Sequence, residues 1–175
     1  VYIGMDHFAR PDDALAVAQA QGRLQRNFQG YSTQPDCDML AFGISAIGRV
    51  GPSYYQNVKT LPEYYATLDA GRLPVARGVE LTKDDIVRRT IIHSLACNFR
   101  VSREAIEDAF LVDFDSYFSR ELDELRALQG DGLVALGADD ITVSAAGRLL
   151  VRRICMVFDR YLRERRERAT YSKVV

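Results

Sequence analysis

The chain of 175 residues contains no tryptophan, only two histidines and only three cysteines. Cys37, Cys97 and Cys155 lie far apart and are odd in number, a pattern that predicts neither a disulfide framework nor a metal-binding cluster. No apolar run reaches the roughly 18 residues that a membrane-spanning helix needs. These absences exclude a disulfide-rich secreted domain and a membrane span, and they favour a reducing compartment such as the cytoplasm.

A strong charge of either sign is also absent, because 23 basic residues almost balance 24 acidic ones and leave a net charge of −1. No overall field attracts nucleic acid or an anionic membrane surface, so we expect neither as a partner. Hydrophobic residues make up 47% of the chain and charged residues 27%, which is typical of an ordinary globular protein.

The first region, residues 1–79, alternates short apolar strands with short helices, as in an α/β layer. Helices are expected from Pro11 to Gly22 and from Thr60, which has capping-box spacing, to Gly71. The expected strands are Tyr2–Met5, Leu40–Ile47 and Tyr54–Val58.

The second region, residues 80–175, is predicted to be mainly helical. Thr82 is expected to cap one helix, Ser102 to start a short one, and Ser144 to start the last, while Phe114–Leu128 forms a longer one. The residues spaced to face a core are Ile86, Thr90, Ile91 and Leu95, then Phe114, Phe118, Leu122 and Leu125, then Leu150, Ile154, Val157, Phe158 and Tyr161. A small hairpin is expected at Gly132–Leu136 and Asp140–Val143.

Three helices, a two-stranded wing and a closing helix are typical of a winged-helix arrangement, which raises DNA binding as an alternative function. The helix in the recognition position, Asp113–Leu128, carries more acidic than basic residues, and phosphates would repel it. The basic segment Arg152–Lys173 is interpreted as a solvated helix face rather than a site for a polyanion.

The remaining chemical motifs are weak. His93 is interpreted as a partly buried structural residue, and no pair of ligands at helical spacing predicts a metal site. Asp6 and His7 would point to opposite faces of a strand, so we expect them not to line one pocket. Residues 43–48 resemble a nucleophile elbow with the wrong glycine spacing, so their glycines are expected to permit tight bends instead.

Several stretches follow one another in a characteristic order. They are YIGMDHFARPDD at residues 2–13, RNFQGYSTQ at 26–34, DMLAFGISAIG at 38–48, YYQN at 54–57, ARGVELTKDDIVRR at 76–89 and AAGRLLVRRICMVFD at 145–159. With these motifs the sequence resembles the oxygen-independent coproporphyrinogen III oxidases, which are radical S-adenosylmethionine (radical SAM) enzymes of haem synthesis. The resemblance covers nearly the whole chain.

The resemblance implies an α+β fold and the C-terminal fragment of a larger enzyme. Residues 1–79 would hold the terminal strands and helices of an incomplete α/β barrel, and residues 80–175 a mainly helical, winged-helix-like domain with a small β-wing. The complete enzyme would convert coproporphyrinogen III to protoporphyrinogen IX by oxidative decarboxylation of two propionates to vinyls.

The resemblance also implies a 4Fe-4S cluster and S-adenosylmethionine. In the family these cofactors depend on a CxxxCxxC-type motif, which this sequence does not contain. We therefore expect the missing N-terminal barrel of the same chain to hold them, and this fragment alone to bind no cofactor or metal and to be inactive.

Five site residues are expected. By resemblance, Ile47 contacts S-adenosylmethionine, and Phe28 and Gln29 are catalytic residues; ordinary core packing is the alternative for Ile47 and Phe28. Arg10 and Arg26 lie beside the matched motifs and are candidates to bind the substrate propionates, because arginine pairs well with carboxylates. Surface ion pairs are the alternative for both arginines.

A second reading of the same resemblance is a haem- or tetrapyrrole-binding chaperone of the radical SAM class without oxidase activity. Haem titration beside an assay for protoporphyrinogen would separate the two readings. The sequence does not indicate an oligomeric state.

Overall fold

The structure is a computed structural model that describes residues 1–34 and 37–171 of the chain. It forms two compact units, one built from residues 1–33 together with the chain from residue 87 onward, and the other from residues 34–86. Within the described ranges, every helix is too short or too polar to serve as a membrane span.

The first unit combines small antiparallel sheets with short helices. Its strands form the hairpin of β1 (Tyr2–Gly4) and β2 (His7–Phe8), the hairpin of β3 (Gln25–Asn27) and β4 (Gly30–Ser32), and a sheet in the order β8 (Arg100–Ser102), β10 (Asp140–Val143), β9 (Val134–Leu136). Its helices are α1 (Ala14–Ala20), α4 (Arg103–Phe110), α5 (Phe114–Tyr117), α6 (Ser119–Gly130), α7 (Ala145–Leu149), α8 (Val151–Cys155) and α9 (Arg160–Tyr171), with a 3₁₀ turn at Met156–Phe158. Helix α3 (Lys83–Asn98) begins in the residue range of the second unit and continues into that of the first.

The second unit is a three-stranded antiparallel sheet with one further helix. The sheet has the order β5 (Ile47–Val50), β6 (Ser53–Asn57), β7 (Val75–Glu80), and α2 (Leu61–Asp69) connects β6 to β7. The strand expected at Leu40–Ile47 is wrong, because only its last residue lies in a strand. Gly43 and Ser45 adopt φ angles of 95° and 60°, left-handed conformations that a strand cannot contain. Residues 40–46 therefore form a loop in front of β5.

The core of the first unit contains the apolar stripe that the sequence predicted. Phe114, Phe118 and Phe158 are fully buried. The ring centroids of Phe114 and Phe118 lie 5.0 Å apart, and those of Phe118 and Phe158 lie 5.6 Å apart. Fully burying one such side chain contributes roughly 1.5–3 kcal/mol, so this cluster joins α5 and α6 firmly to the 3₁₀ turn.

Two helices expected as continuous are broken. Phe118 has φ −110° and ψ 25°, which separates α5 from α6, and Leu150 has φ −112° and ψ 19°, which separates α7 from α8. Each break resets the helical period. Leu150, at the break itself, is 50% exposed, and Tyr161, which follows the 3₁₀ turn in α9, is 46% exposed. Their expected place in the core is wrong, whereas the three residues predicted between them are buried.

Of the capping residues that the sequence predicted, Ser102 and Ser144 cap their helices, whereas Thr60 does not. Asp13 caps α1 through a 2.8 Å bond from the Leu15 N–H, so this helix begins three residues after Pro11. Thr60 makes no side-chain capping bond. A capping box exists instead at Thr82, whose Oγ1 accepts from the Asp85 N–H at 3.2 Å while Asp85 Oδ2 accepts from the Thr82 N–H at 2.9 Å.

One carboxylate is buried in the first unit. Glu121 in α6 is 1% exposed, and it accepts hydrogen bonds from Arg88 of α3, at 2.7 Å, and from Arg163 of α9. Burial alone would raise the pKa of Glu121, but the hydrogen bonds from Arg163 and Arg88 outweigh it and hold the pKa below its usual value. Part of the basic segment Arg152–Lys173 thus packs on an acidic partner; its last residues, 172 and 173, lie outside the described residues.

Candidate functional site

The RNFQGY motif forms the tight turn of the β3–β4 hairpin. Asn27 pairs with Gly30, which leaves Phe28 and Gln29 as the two turn residues. The Oδ1 atom of Asn27 accepts a hydrogen bond from the Gln29 N–H at 2.8 Å, the usual role of asparagine in a turn. Phe28 is 57% exposed and Gln29 is also exposed, so the core alternative for Phe28 is wrong.

Helix α3 holds this hairpin in place through two side chains. The backbone N–H of Arg26 donates to Nε2 of His93 at 2.9 Å, and the Tyr31 hydroxyl donates to the Ala96 carbonyl at 3.1 Å. His93 is therefore a structural residue, as the sequence predicted. The two hydrogen bonds fix the strands of the hairpin against α3, and the exposed Phe28–Gln29 turn connects these strands.

The two candidate arginines lie in different surroundings. The Arg10 side chain is 86% exposed and its Nε is 3.3 Å from Oδ1 of Asp12, the surface ion pair that the sequence offered as an alternative. Arg26 is half-buried, and its guanidinium carbon lies 5.4 Å from the centre of the Tyr31 ring. Its Nε atom is buried and has no hydrogen-bond partner among the described residues.

Asp6 and His7 are in contact with each other, and the assumption that both lie in one strand is wrong. Gly4 pairs with His7, so Asp6 lies in a turn rather than in a strand, and its Oδ1 is 2.9 Å from Nδ1 of His7. The His7 ring packs edge-on against Tyr31 with centroids 5.2 Å apart. Its Nε2 lies 4.0 Å from the point that a Cβ on Gly30 would occupy. His7 is thus a polar group beside the Phe28–Gln29 turn, a position that strand periodicity did not predict.

Ile47 begins β5 and is half-buried at the end of the 40–46 loop. The loop backbone is fixed by side chains of β6 and α2. The Tyr55 hydroxyl accepts from the Ala41 N–H and the Tyr64 hydroxyl from the Gly43 N–H, both at 3.0 Å. The Asn57 amide donates to the carbonyls of the same two residues, at 3.2 and 2.9 Å. The segment leading into Ile47 is therefore held in one conformation.

The glycine after Ile47 allows a close approach. A Cβ on Gly48 would lie 2.3 Å from the Tyr55 ring, a distance that no side chain tolerates. Tyr55 can lie across β5 and reach the loop only because residue 48 is glycine.

The cysteines offer no reactive thiol in the first unit. Cys97 and Cys155 are free and buried, and Cys37 is free and exposed. Burial raises the pKa of Cys97 and of Cys155 to about 12, although His93 Nε2 lies 3.8 Å from the Cys97 sulfur. Across the described residues, no three His, Cys, Asp or Glu side chains lie close enough together to hold a metal ion.

A groove of about 440 Å³ in the first unit is lined by Arg103, Asp115, Ser119, Leu122, Asp123, Arg126, Gln129 and Leu136. None of the five site residues expected from the sequence lies in it. Its charges are paired with one another, Arg103 with Asp115 and Arg126 with Asp123.

Comparison with known proteins identifies the relatives of this chain. Residues 81–150 match the family model described as the HemN C-terminal domain. The chain is 50% identical over 174 residues to the oxygen-independent coproporphyrinogen III oxidase of Escherichia coli K12 and 48% identical over 174 residues to that of Pseudomonas aeruginosa, in each case covering 99% of this chain and 38% of the relative. A solved structure described as coproporphyrinogen III oxidase from Escherichia coli, a radical SAM enzyme, superposes with a TM-score of 0.89 at 52% identity, over 91% of this chain and 37% of that one.

Residues 81–150 are therefore a HemN C-terminal domain within a mixed helix-and-strand fold. Over 99% of its length the chain is similar to oxygen-independent coproporphyrinogen III oxidases, as its motifs indicated, and it spans a little over a third of the length of these relatives.

Proposed function

We propose that this chain is part of an oxygen-independent coproporphyrinogen III oxidase of haem biosynthesis. The complete protein would convert coproporphyrinogen III to protoporphyrinogen IX by oxidative decarboxylation of two propionates to vinyls. The single observation that carries this proposal is the 50% identity to the Escherichia coli enzyme over 99% of the chain. The free cysteines are compatible with a cytoplasmic protein.

The remainder of the protein, an N-terminal barrel of the same chain, would hold a 4Fe-4S cluster and S-adenosylmethionine. The relatives are more than twice as long as the stretch matched by this chain, which supports a further part of the protein. When bound, these cofactors supply the radical that removes a hydrogen atom from the substrate. The described residues contain no group fit to bind the cluster, so we assign its ligands to the remainder.

The residues of this chain would bind and orient S-adenosylmethionine and the substrate. Ile47 would pack against S-adenosylmethionine from a loop that is already fixed, which lowers the cost of ordering it on binding. Phe28 would form a wall of the substrate site, and the Gln29 amide could both donate to and accept from the substrate. Arg26 lies in the same hairpin as Phe28 and Gln29, whereas Arg10 is paired with Asp12, so Arg26 is the stronger candidate for a propionate.

For the architecture, we propose that residues 1–79 complete an α/β barrel and residues 80–175 form a winged-helix-like domain. The element order from α3 to β10 is one helix, one strand, three helical segments and two strands, and it supports the second assignment. The family model begins at residue 81, which supports a boundary between residues 79 and 80.

The test is an assay of the complete protein, purified without oxygen and supplied with S-adenosylmethionine, a reductant and coproporphyrinogen III. We expect protoporphyrinogen IX, read as protoporphyrin fluorescence after oxidation. A cluster-loaded protein that forms no vinyl product would overturn the proposal. Stoichiometric haem binding in that same product-free protein would favour the chaperone-type alternative.

A further inference from the structure

The backbone of the 40–46 loop is fixed by hydrogen bonds from one buried side-chain amide, that of Asn57. Asn57, the last residue of β6, is 2% exposed. Its Nδ2 donates to the carbonyl oxygens of Ala41 and Gly43, at 3.2 and 2.9 Å. Its backbone N–H donates to the carbonyl of Ala46 at 2.9 Å, so Asn57 contacts the beginning, the middle and the end of the loop.

The chemistry of this contact requires a primary amide. An NH₂ group has two donors, and each of them meets a different carbonyl of the loop. The N–H groups of Ala41 and Gly43 bond in turn to the hydroxyls of Tyr55 and Tyr64, so both residues are fixed through donor and acceptor. Removal of the amide would take the hydrogen-bond donor away from two partly buried backbone carbonyls, which is costly.

The residues between these anchor points project apolar side chains. Phe42 is 82% exposed and Ile44 is 39% exposed, while Ala41 and Gly43, which alternate with them, are the bonded residues. The loop thus presents apolar groups from a fixed backbone immediately before Ile47.

We propose that Asn57 is the positioning residue of this loop, and that the loop it fixes is what allows Ile47 to bind S-adenosylmethionine. The inference rests on the proposed function. It adds a residue that touches neither cofactor nor substrate and acts through the loop backbone.

The main test is Asn57→Asp in the complete, cluster-loaded protein. The aspartate has the same shape but, when ionised, has no N–H to donate and faces two carbonyls. We expect the dissociation constant and the KM for S-adenosylmethionine to rise about tenfold, as for the loss of one to two hydrogen bonds. The rate at saturating S-adenosylmethionine and the KM for coproporphyrinogen III are expected to change less than about twofold. Unchanged affinity for S-adenosylmethionine would overturn the proposal.

A second test, which does not depend on the folding of Asn57→Asp, compares two substitutions on α2, Tyr64→Phe and its matched control Tyr65→Phe. Only the Tyr64 hydroxyl bonds to the loop, and Tyr65 is 58% exposed. We expect Tyr64→Phe to raise the same constant by about threefold, the value of one neutral hydrogen bond, and Tyr65→Phe to leave it unchanged. Equal effects of the two variants would contradict a role of this loop.

Hydrogen exchange separates failure of this inference from failure of the proposed function. In Asn57→Asp, the amides of residues 41–46 should exchange about tenfold faster than in the wild type, while those of β6 and β7 stay protected. Unchanged exchange in the loop would refute positioning by Asn57 whether or not the protein is an oxidase. A wild-type protein that binds no S-adenosylmethionine would refute the proposed function and leave the exchange result standing.

Discussion

The first unit is stabilised by a core of buried aliphatic and aromatic side chains, among them Phe114, Phe118 and Phe158. The second unit is built differently. Among its described residues, the buried apolar ones are Val58 and Pro74, and helix α2 buries none of its residues. Strand pairing and bonds from side chains to backbone, such as those of Asn57, hold its shape.

This difference separates stability from geometry. Burial of apolar area contributes most of the free energy of folding but has no direction, whereas one hydrogen bond contributes a net of about 0.5–1.5 kcal/mol and fixes two atoms. The first unit therefore supplies most of the stability of the chain. The second unit supplies a loop of defined shape. We expect the second unit to unfold locally at a lower free energy than the first.

The largest effect is expected from truncation of the aromatic core. Phe118→Ala removes a fully buried ring that contacts Phe114, Tyr117 and Phe158, and should lower the free energy of unfolding by about 3–5 kcal/mol. Urea titration followed by circular dichroism measures this change.

The matched control is Phe42→Ala in the second unit. This ring is 82% exposed, so its loss should change the free energy of unfolding by less than about 0.5 kcal/mol. If Phe118→Ala and Phe42→Ala lower the free energy of unfolding by similar amounts, the proposed difference in stability between the two units is wrong.

A smaller effect, with a defined pH dependence, is expected from the buried carboxylate. Glu121→Gln leaves Arg88 and Arg163 without their acidic partner, and should cost about 2–3 kcal/mol at pH 7. This lies below the value for a fully buried pair because the two arginine side chains keep 13% and 18% exposure. Glu124→Gln is the control on the same helix; its pair with Arg120 is 3.9 Å long with a carboxylate 42% exposed, so less than about 0.5 kcal/mol is expected.

The sign of the pH dependence follows from the lowered pKa of Glu121. A carboxyl group whose pKa is lower in the folded than in the unfolded state stabilises the fold above the unfolded value, and this stabilisation is lost as the pH falls through the folded value. The difference between wild type and Glu121→Gln should therefore stay constant from pH 7 to about pH 5 and shrink as the pH falls below about 4.3, the ordinary pKa of a glutamate in an unfolded chain. A constant difference would mean that charge pairing is not its source.

The sequence predicted the elements whose signal is local. Ser102 and Ser144 cap helices as expected, and the stripe of Phe114, Phe118, Leu122 and Leu125 is buried. These predictions hold because a cap or an apolar period is set by residues a few positions apart.

The predictions that failed depended on contacts between distant residues or on the backbone conformation of a single residue. Leu40–Ile47 has the composition of a strand, but the loop conformation is set by Tyr55, Asn57 and Tyr64, which no local pattern reveals. Helix α7 ends at Leu150 because the dihedral angles of this residue are not helical, and the apolar periodicity of the sequence does not predict dihedral angles. The five site residues came from motif resemblance; the sequence did not reveal that Phe28 and Gln29 form a hairpin turn held by His93.

The smallest effect on stability is expected at that turn, where we expect function to be most sensitive. Phe28 is 57% exposed, so Phe28→Ala should change the free energy of unfolding by less than about 0.5 kcal/mol. In the complete protein we expect the same substitution to reduce protoporphyrinogen formation by about tenfold or more, because a wall of the substrate site is lost. Leu149→Ala, which removes a side chain from a residue 73% exposed in α7, should change neither quantity. A Phe28→Ala protein that keeps full activity would remove this turn from the substrate site, and one that loses stability would mean that the ring belongs to the structural core of the first unit after all.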